Sequence, residues 1–329
     1  MAIEDSSQWL RSVAASIATA AAFMLAGCAA PTSYVAPVTK FQQASGVVID
    51  AAREEYKLAN KRQRDAVIDE ASYKRIPVGT PALLGGTKSS PQSGANVISP
   101  EALKLRLAAL DLLEKHGTLL LELANNSAGA SVRKSADSIG KSVTEIKGLT
   151  GAGKGPADSP EGSKVQSSLI RYADTAGLIA QYVIEARVER AISTAIMDGA
   201  STVHDLINAL RIDAQALFDG RKVLARQARV RALDNFNAQI KAKASAESIA
   251  KAGAQLKAAA DAEESLSVVP PLEQVIKEMG KAHAGLVDFA RSAKSPQSFS
   301  DLVDAMDTFA DRATELATSI AATQMVVKE

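Results

Sequence analysis

Three histidines, a glycine-rich stretch ending in lysine, paired acids, scattered serines and a single cysteine are the side chains with chemistry to offer in this sequence. His116, His204 and His283 lie far apart. None has a second ligand or base three or four residues away, the spacing that sets two side chains on one helical face. Neither a metal site nor a catalytic triad is read from them. Gly148-Leu149-Thr150-Gly151-Ala152-Gly153-Lys154 has the spacing of a phosphate-cradling loop as far as its lysine. Gly155 then stands where Ser or Thr would ligate magnesium, a helical pattern rather than a strand precedes, and Pro156 follows, so no nucleotide is expected there. No serine sits in a Gly-x-Ser-x-Gly turn, and Glu54-Glu55 and Glu263-Glu264 are adjacent, which on a helix points them apart. The expectation is a protein that is not an enzyme and carries no cofactor.

One cysteine admits no disulfide framework within the chain and no multi-cysteine zinc site. Its surroundings suggest another use. Residues 12–25 form an uncharged apolar run after Arg11, ending in the small residues Ala26 and Gly27. This is the anatomy of an export signal, and it falls short of the roughly 20 apolar residues that span a bilayer. Leu25-Ala26-Gly27-Cys28 resembles the lipobox of bacterial lipoproteins. The resemblance covers the leader and anchor alone. It implies cleavage before Cys28, a thioether-linked diacylglycerol on its sulfur and a further acyl chain such as palmitate on its amine, several chains together giving stable anchoring. Ala29 occupies the position where inner-membrane lipoproteins carry aspartate, so the resemblance implies an outer-membrane, periplasm-facing protein in a Gram-negative host. In other hosts it implies the outer face of the cytoplasmic membrane. The n-region departs from the pattern in placing Glu4 and Asp5 before its basic residue.

Two charged clusters remain. Arg221, Lys222, Arg226, Arg229 and Arg231 crowd one stretch, with Lys222, Arg226 and Arg229 on a shared helical face. Asp301, Asp304, Asp307, Asp311 and Glu315 form an acidic stripe. Both fit the solvated faces of an amphipathic bundle. Both also fit contact sites, with Lys222, Arg226 and Arg229 meeting anionic headgroups or an acidic partner, and Asp304 and Asp311 meeting a basic one. The bulk charge is only +1 and aromatics make up 4% of the chain, which argues against nucleic acid.

The elements that must position these residues read as helices. Nearly half of the chain is apolar, and alanine and leucine dominate that half. A short extended tether is expected over 28–37, about 30 Å at about 3.1 Å per residue. A first helix is expected over 38–75, with Phe41, Val48, Ala52, Tyr56, Ala59, Ala66 and Tyr73 near one stripe, then a loop to Ile98 in which Ala82, Leu83 and Leu84 pack on the bundle. Ser99-Pro100-Glu101 starts the next helix, whose stripe runs from Leu103 to Ala124, and Asn125-Asn126 ends it. A weaker helix over 131–147 precedes a glycine-rich linker at 148–158. Val165, Leu169, Tyr172, Ala176, Ile179, Val183 and Ala186 then alternate in fours and threes, the heptad spacing of a helix pair. Asp198-Gly199 and Asp219-Gly220 are candidate breaks in a pattern that otherwise reaches Glu264. Pro270-Pro271 opens a helix to about Ala293. After Pro296 comes another, with Leu302, Met306, Phe309, Ala313, Leu316 and Ile320 in four-three alternation. No segment alternates with period two.

The fold expected is all-α, an elongated antiparallel helical bundle with coiled-coil-like long helices. Its parts are a signal peptide (1–27), a lipid anchor and tether (28–37) and a bundle domain (38–329) with a possible division at the linker. The function expected is a membrane-anchored periplasmic scaffold or adaptor that binds another envelope component or itself through helical faces. A membrane-active, pore-forming or remodelling protein and a carrier of an apolar ligand are the alternatives.

Overall fold

The computed structural model describes residues 33–75, 77, 98, 100–125, several positions between 131 and 141, 188–268, 271–292 and 295–326. The leader, the lipobox residues Leu25, Ala26, Gly27 and Cys28, the packing residues 82–84, the 148–158 linker and the heptad stretch at 165–186 lie outside the described residues. Among those described there is no strand. Six helices account for almost all of them: α1 (Val35–Lys74), α2 (Pro100–Ala124), α3 (Val188–Lys241), α4 (Ala246–Val268), α5 (Leu272–Arg291) and α6 (Pro296–Val326). The protein is an all-α helical bundle.

Where the helices start and stop follows from local chemistry. Helix α1 begins at Val35, so that Ala36 and Pro37 belong to its first turn rather than to an extended tether. Proline is tolerated there because the first N–H groups of a helix have no partner to lose. The helix ends where Arg75 adopts φ 54°, ψ 41° and returns its N–H to Ala71 and Ser72, just ahead of Pro77. Helix α6 begins as its sequence advertises: Ser295 accepts the N–H of Ser298 at 3.1 Å, and Pro296 fills the first helical position.

The expected run to Glu264 divides differently. Asp198-Gly199 and Asp219-Gly220 interrupt nothing, because α3 passes through both as one helix of 54 residues. The break falls instead at residues 242–245, which hold neither glycine nor proline. Lys243 there takes the left-handed conformation (φ 51°), its N–H reaching Ile240 and that of Ala244 reaching Gln239. This pair of bonds satisfies carbonyls left over at a helix C-terminus. Ser245 then caps α4 through the N–H of Ser248.

Helices α1, α2, α3, α5 and α6 share one core, while α4 folds back on α3. The directions follow from paired residues. Asn60 meets Ile98 and Gln42 meets Gly117, so α1 and α2 are antiparallel. Arg211 meets Glu273 and Ile207 meets Gly280, so α3 and α5 are antiparallel too. Asn235 faces Gln255, which sets α4 against α3, and Gly285 faces Ala305, which sets α6 against α5. The stripe on α6 is buried as the four-three alternation requires: Leu302, Met306, Phe309, Ala313 and Leu316 are each at most 3% exposed. On α1 the stripe is buried from Phe41 to Tyr56 and reaches the surface at Tyr73. Near its end α1 runs beside α3, where the Tyr73 hydroxyl meets Asp234.

Candidate functional site

The polar side chains inside the bundle tie helices to one another. Arg106 on α2 donates Nε to Asp213 Oδ2 at 2.7 Å and Nη2 to Oδ1 at 3.0 Å, a two-pronged ion pair with α3. Tyr56 on α1 adds its hydroxyl to the same carboxylate, at 3.5 Å. Burial, with the Asp213 charge beside it, holds that phenol well above its usual pKa, so Tyr56 is a neutral donor. Asn60 clamps both backbone groups of Ile98, and Arg53 bridges Asp111 and Glu114 on α2.

The histidines, unrelated by sequence spacing, converge. His116 from α2 and His283 from α5 meet edge to face, with ring centroids 5.5 Å apart, and Phe41 of α1 lies 6.0 Å from His283. Phe309 of α6 extends the cluster at 5.9 Å from Phe41. Both imidazoles are sealed from water. Burial drives the pKa of His283 from 6.5 down to about 4, with the exposed His204 of α3 adding to the effect. Burial and then His283 push His116 well below its ordinary value. Both rings are therefore neutral at physiological pH and serve as packing groups. Among the described residues, no three His, Cys, Asp or Glu side chains are placed to hold a metal ion. Sequence spacing carries no signal for this convergence, because His116 and His283 come from different helices.

The charged clusters are on the surface and stay apart. On α3, Arg229 pairs with Glu263 of α4 at 2.6 Å, and Lys222 lies 4.6 Å over the ring of Phe218 one turn earlier. Arg221 turns inward to Glu55, itself held by Arg62 at 2.7 Å, and burial lowers its guanidinium pKa against the pull of that carboxylate. Arg226 is exposed, with no ion pair among the described residues. It lines a shallow groove of about 400 Å³ between the ends of α1 and α3, with Tyr73, Gln227, Val230 and Asp234. On α6, Asp307 pairs with Lys40 and Glu315 with Arg312, while Asp304 and Asp311 are exposed. The contacts Lys40–Asp307 and Glu55–Arg221 are fifteen residues apart along α1, or about 22 Å at about 1.5 Å per residue. Basic and acidic clusters therefore occupy different levels of one molecule and do not neutralise each other.

Among the described residues, no helix is long and apolar enough to cross a membrane. No known protein family, curated protein or solved structure matches the chain.

Proposed function

We propose that this chain is a lipoprotein held through acyl chains on Cys28 in the periplasmic leaflet of the outer membrane, where its bundle acts as a scaffold or adaptor for another envelope component. One observation carries the reading. Arg106, Asp213 and Tyr56 join three helices inside the bundle, whereas Lys222 and Arg226 on α3 and Asp304 and Asp311 on α6 are exposed, a basic and an acidic cluster on different helices. Exposed charge of opposite sign on different helices suits orientation and encounter between macromolecules, which is where exposed charge has most effect. The lipobox Leu25-Ala26-Gly27-Cys28 supplies the membrane attachment.

The test is chemical cross-linking and recovery from envelopes of the natural chain, of Cys28→Ala, and of the double variant Asp304→Lys with Asp311→Lys. The natural chain should recover one defined envelope protein, the charge reversal should lose it, and Cys28→Ala should lose the attached acyl chains. Repeated recovery of no protein by the natural chain would overturn the adaptor reading. Dye release from liposomes would replace it with the membrane-active one.

A further inference from the structure

Among the described residues, the second half of α3 has a face that no helix covers. At about 100° per residue, positions 223, 226, 230, 233, 237 and 240 fall within one sector about 100° wide. Val223, Val230, Leu233 and Ile240 on this sector are 40%, 47%, 44% and 49% exposed, and Arg226 and Asn237 between them are exposed as well. Helix α4 engages other sides of α3, and α1 flanks the strip at Arg226 and Val230, where the two helices share the shallow groove. Helix α1 reaches α3 at Arg221 and, through Tyr73, at Asp234; α4 reaches it at Arg229, Asn235 and Phe236. From Val223 to Ile240 the uncovered strip is about 26 Å long at about 1.5 Å per residue.

Its charge says what covers it. Lys222, Arg226, Lys241 and Lys243 border or interrupt the apolar strip and are all exposed. Asp219 and Asp234 at its margins accept from Gln215 and from the Tyr73 hydroxyl and keep their charge, so the four cations outnumber the two acids. Tyr73 itself, 48% exposed, extends the apolar surface sideways. A second copy docked through the same face is a poor occupant, because two such cationic faces repel and an aligned pair would set Arg226 against its own image; the acidic cluster of α6 is polar at Asp304 and Asp311 and offers the apolar strip no matching surface. A helix with an apolar strip and a basic margin, lying flat, instead matches an anionic bilayer surface. Its aliphatic side chains enter the acyl boundary while lysine and arginine stems reach back to the phosphates.

We propose that this face of α3 is a membrane-docking surface for anionic phospholipid, separate from the Cys28 anchor, that lays the distal part of α3 on the bilayer. The proposal deepens the lipoprotein reading in needing a membrane nearby, but it does not depend on acylation. That independence makes it testable alone, since Cys28 is the chain's one cysteine. The full chain carrying Cys28→Ser cannot be acylated, and adding Leu233→Cys gives it a unique thiol for an environment-sensitive fluorophore. A companion with Lys257→Cys, exposed on α4, reports a different helix. The apolar leader is common to both and cancels in the comparison.

With vesicles rich in phosphatidylglycerol, the label at 233 should shift to the blue and be quenched by brominated acyl chains, while the label at 257 stays in water. Phosphatidylcholine vesicles should give at most a tenth of that response. Adding Lys222→Glu and Arg226→Glu should abolish it, with far-UV circular dichroism confirming an intact helical fold. No shift at 233, an equal shift on neutral vesicles, or equal shifts at 233 and 257 would each overturn the proposal. A shift that grows with protein concentration in the absence of lipid would assign the face to a second copy and overturn it as well. None of these failures touches acylation at Cys28, which mass spectrometry reads separately.

Discussion

Acidification should loosen this bundle through His283, and the size of the effect follows from its surroundings. Packed among His116, Phe41 and other core side chains, and lying near His204, the imidazole is neutral in the folded protein down to about pH 4, whereas in the unfolded chain it takes up a proton near 6.5. A folded-state pKa below the unfolded value means that the unfolded chain binds more protons across this window. Stability contributed by the neutral ring is therefore complete above about pH 6.5 and is lost as pH falls toward 4. At about 1.36 kcal/mol per unit, the loss from His283 is about 2 kcal/mol on reaching about pH 5, and about 3 kcal/mol once the pH is below the folded value. His116, displaced in the same direction, adds to it. The assay is urea unfolding followed by far-UV circular dichroism at about pH 7.5 and about pH 5, for the natural chain and for His283→Phe. Carboxylates titrate alike in both proteins and cancel in the difference. The variant, whose ring still packs against Phe41, should lose about 2 kcal/mol less on acidification than the natural chain. Equal losses in the two proteins would refute the reasoning.

Other substitutions test the packing. Asp213→Ala leaves Arg106, whose side chain is 13% exposed, without its carboxylate and should cost about 2–3 kcal/mol in the same unfolding assay, with Arg106→Met and Asp213→Leu together recovering much of it. Phe309→Ala opens a cavity beside Phe41 in the five-helix core and should cost about 3–5 kcal/mol. Gly46→Ala should stabilise by about 0.5–1 kcal/mol, because the position is within α1 and an added Cβ meets nothing within 4 Å. A thermal melt that moves down rather than up would contradict that last reading.

The parts of the fold legible in the sequence are those governed by local chemistry. Helix α6 is the clearest case, since Pro296 marks its start and Leu302 to Leu316 mark its buried side. The end of α1 at Arg75 was readable from Pro77. The turn between α3 and α4 was not, because its left-handed residue is Lys243 rather than glycine, and tertiary packing of α4 on α3 holds it there. Conversely, Gly199 and Gly220 looked like breaks, yet each costs a helix only about 1 kcal/mol relative to alanine, which packing along α3 absorbs. The basic face of α3 was visible as spacing. That Arg221 turns inward while Arg226 stays exposed depends on where Glu55 of α1 arrives. The histidine cluster is a property of three helices brought together and has no local signature.

The anchor is the claim on which the functional account turns, and intact mass spectrometry of the protein extracted from its own membranes tests it most directly. The polypeptide should begin at Cys28 and be heavier than its sequence by a diacylglyceryl group and an amine-linked acyl chain, with Cys28→Ala lacking both. A chain that begins elsewhere, or one that begins at Cys28 without attached fatty acids, would contradict it.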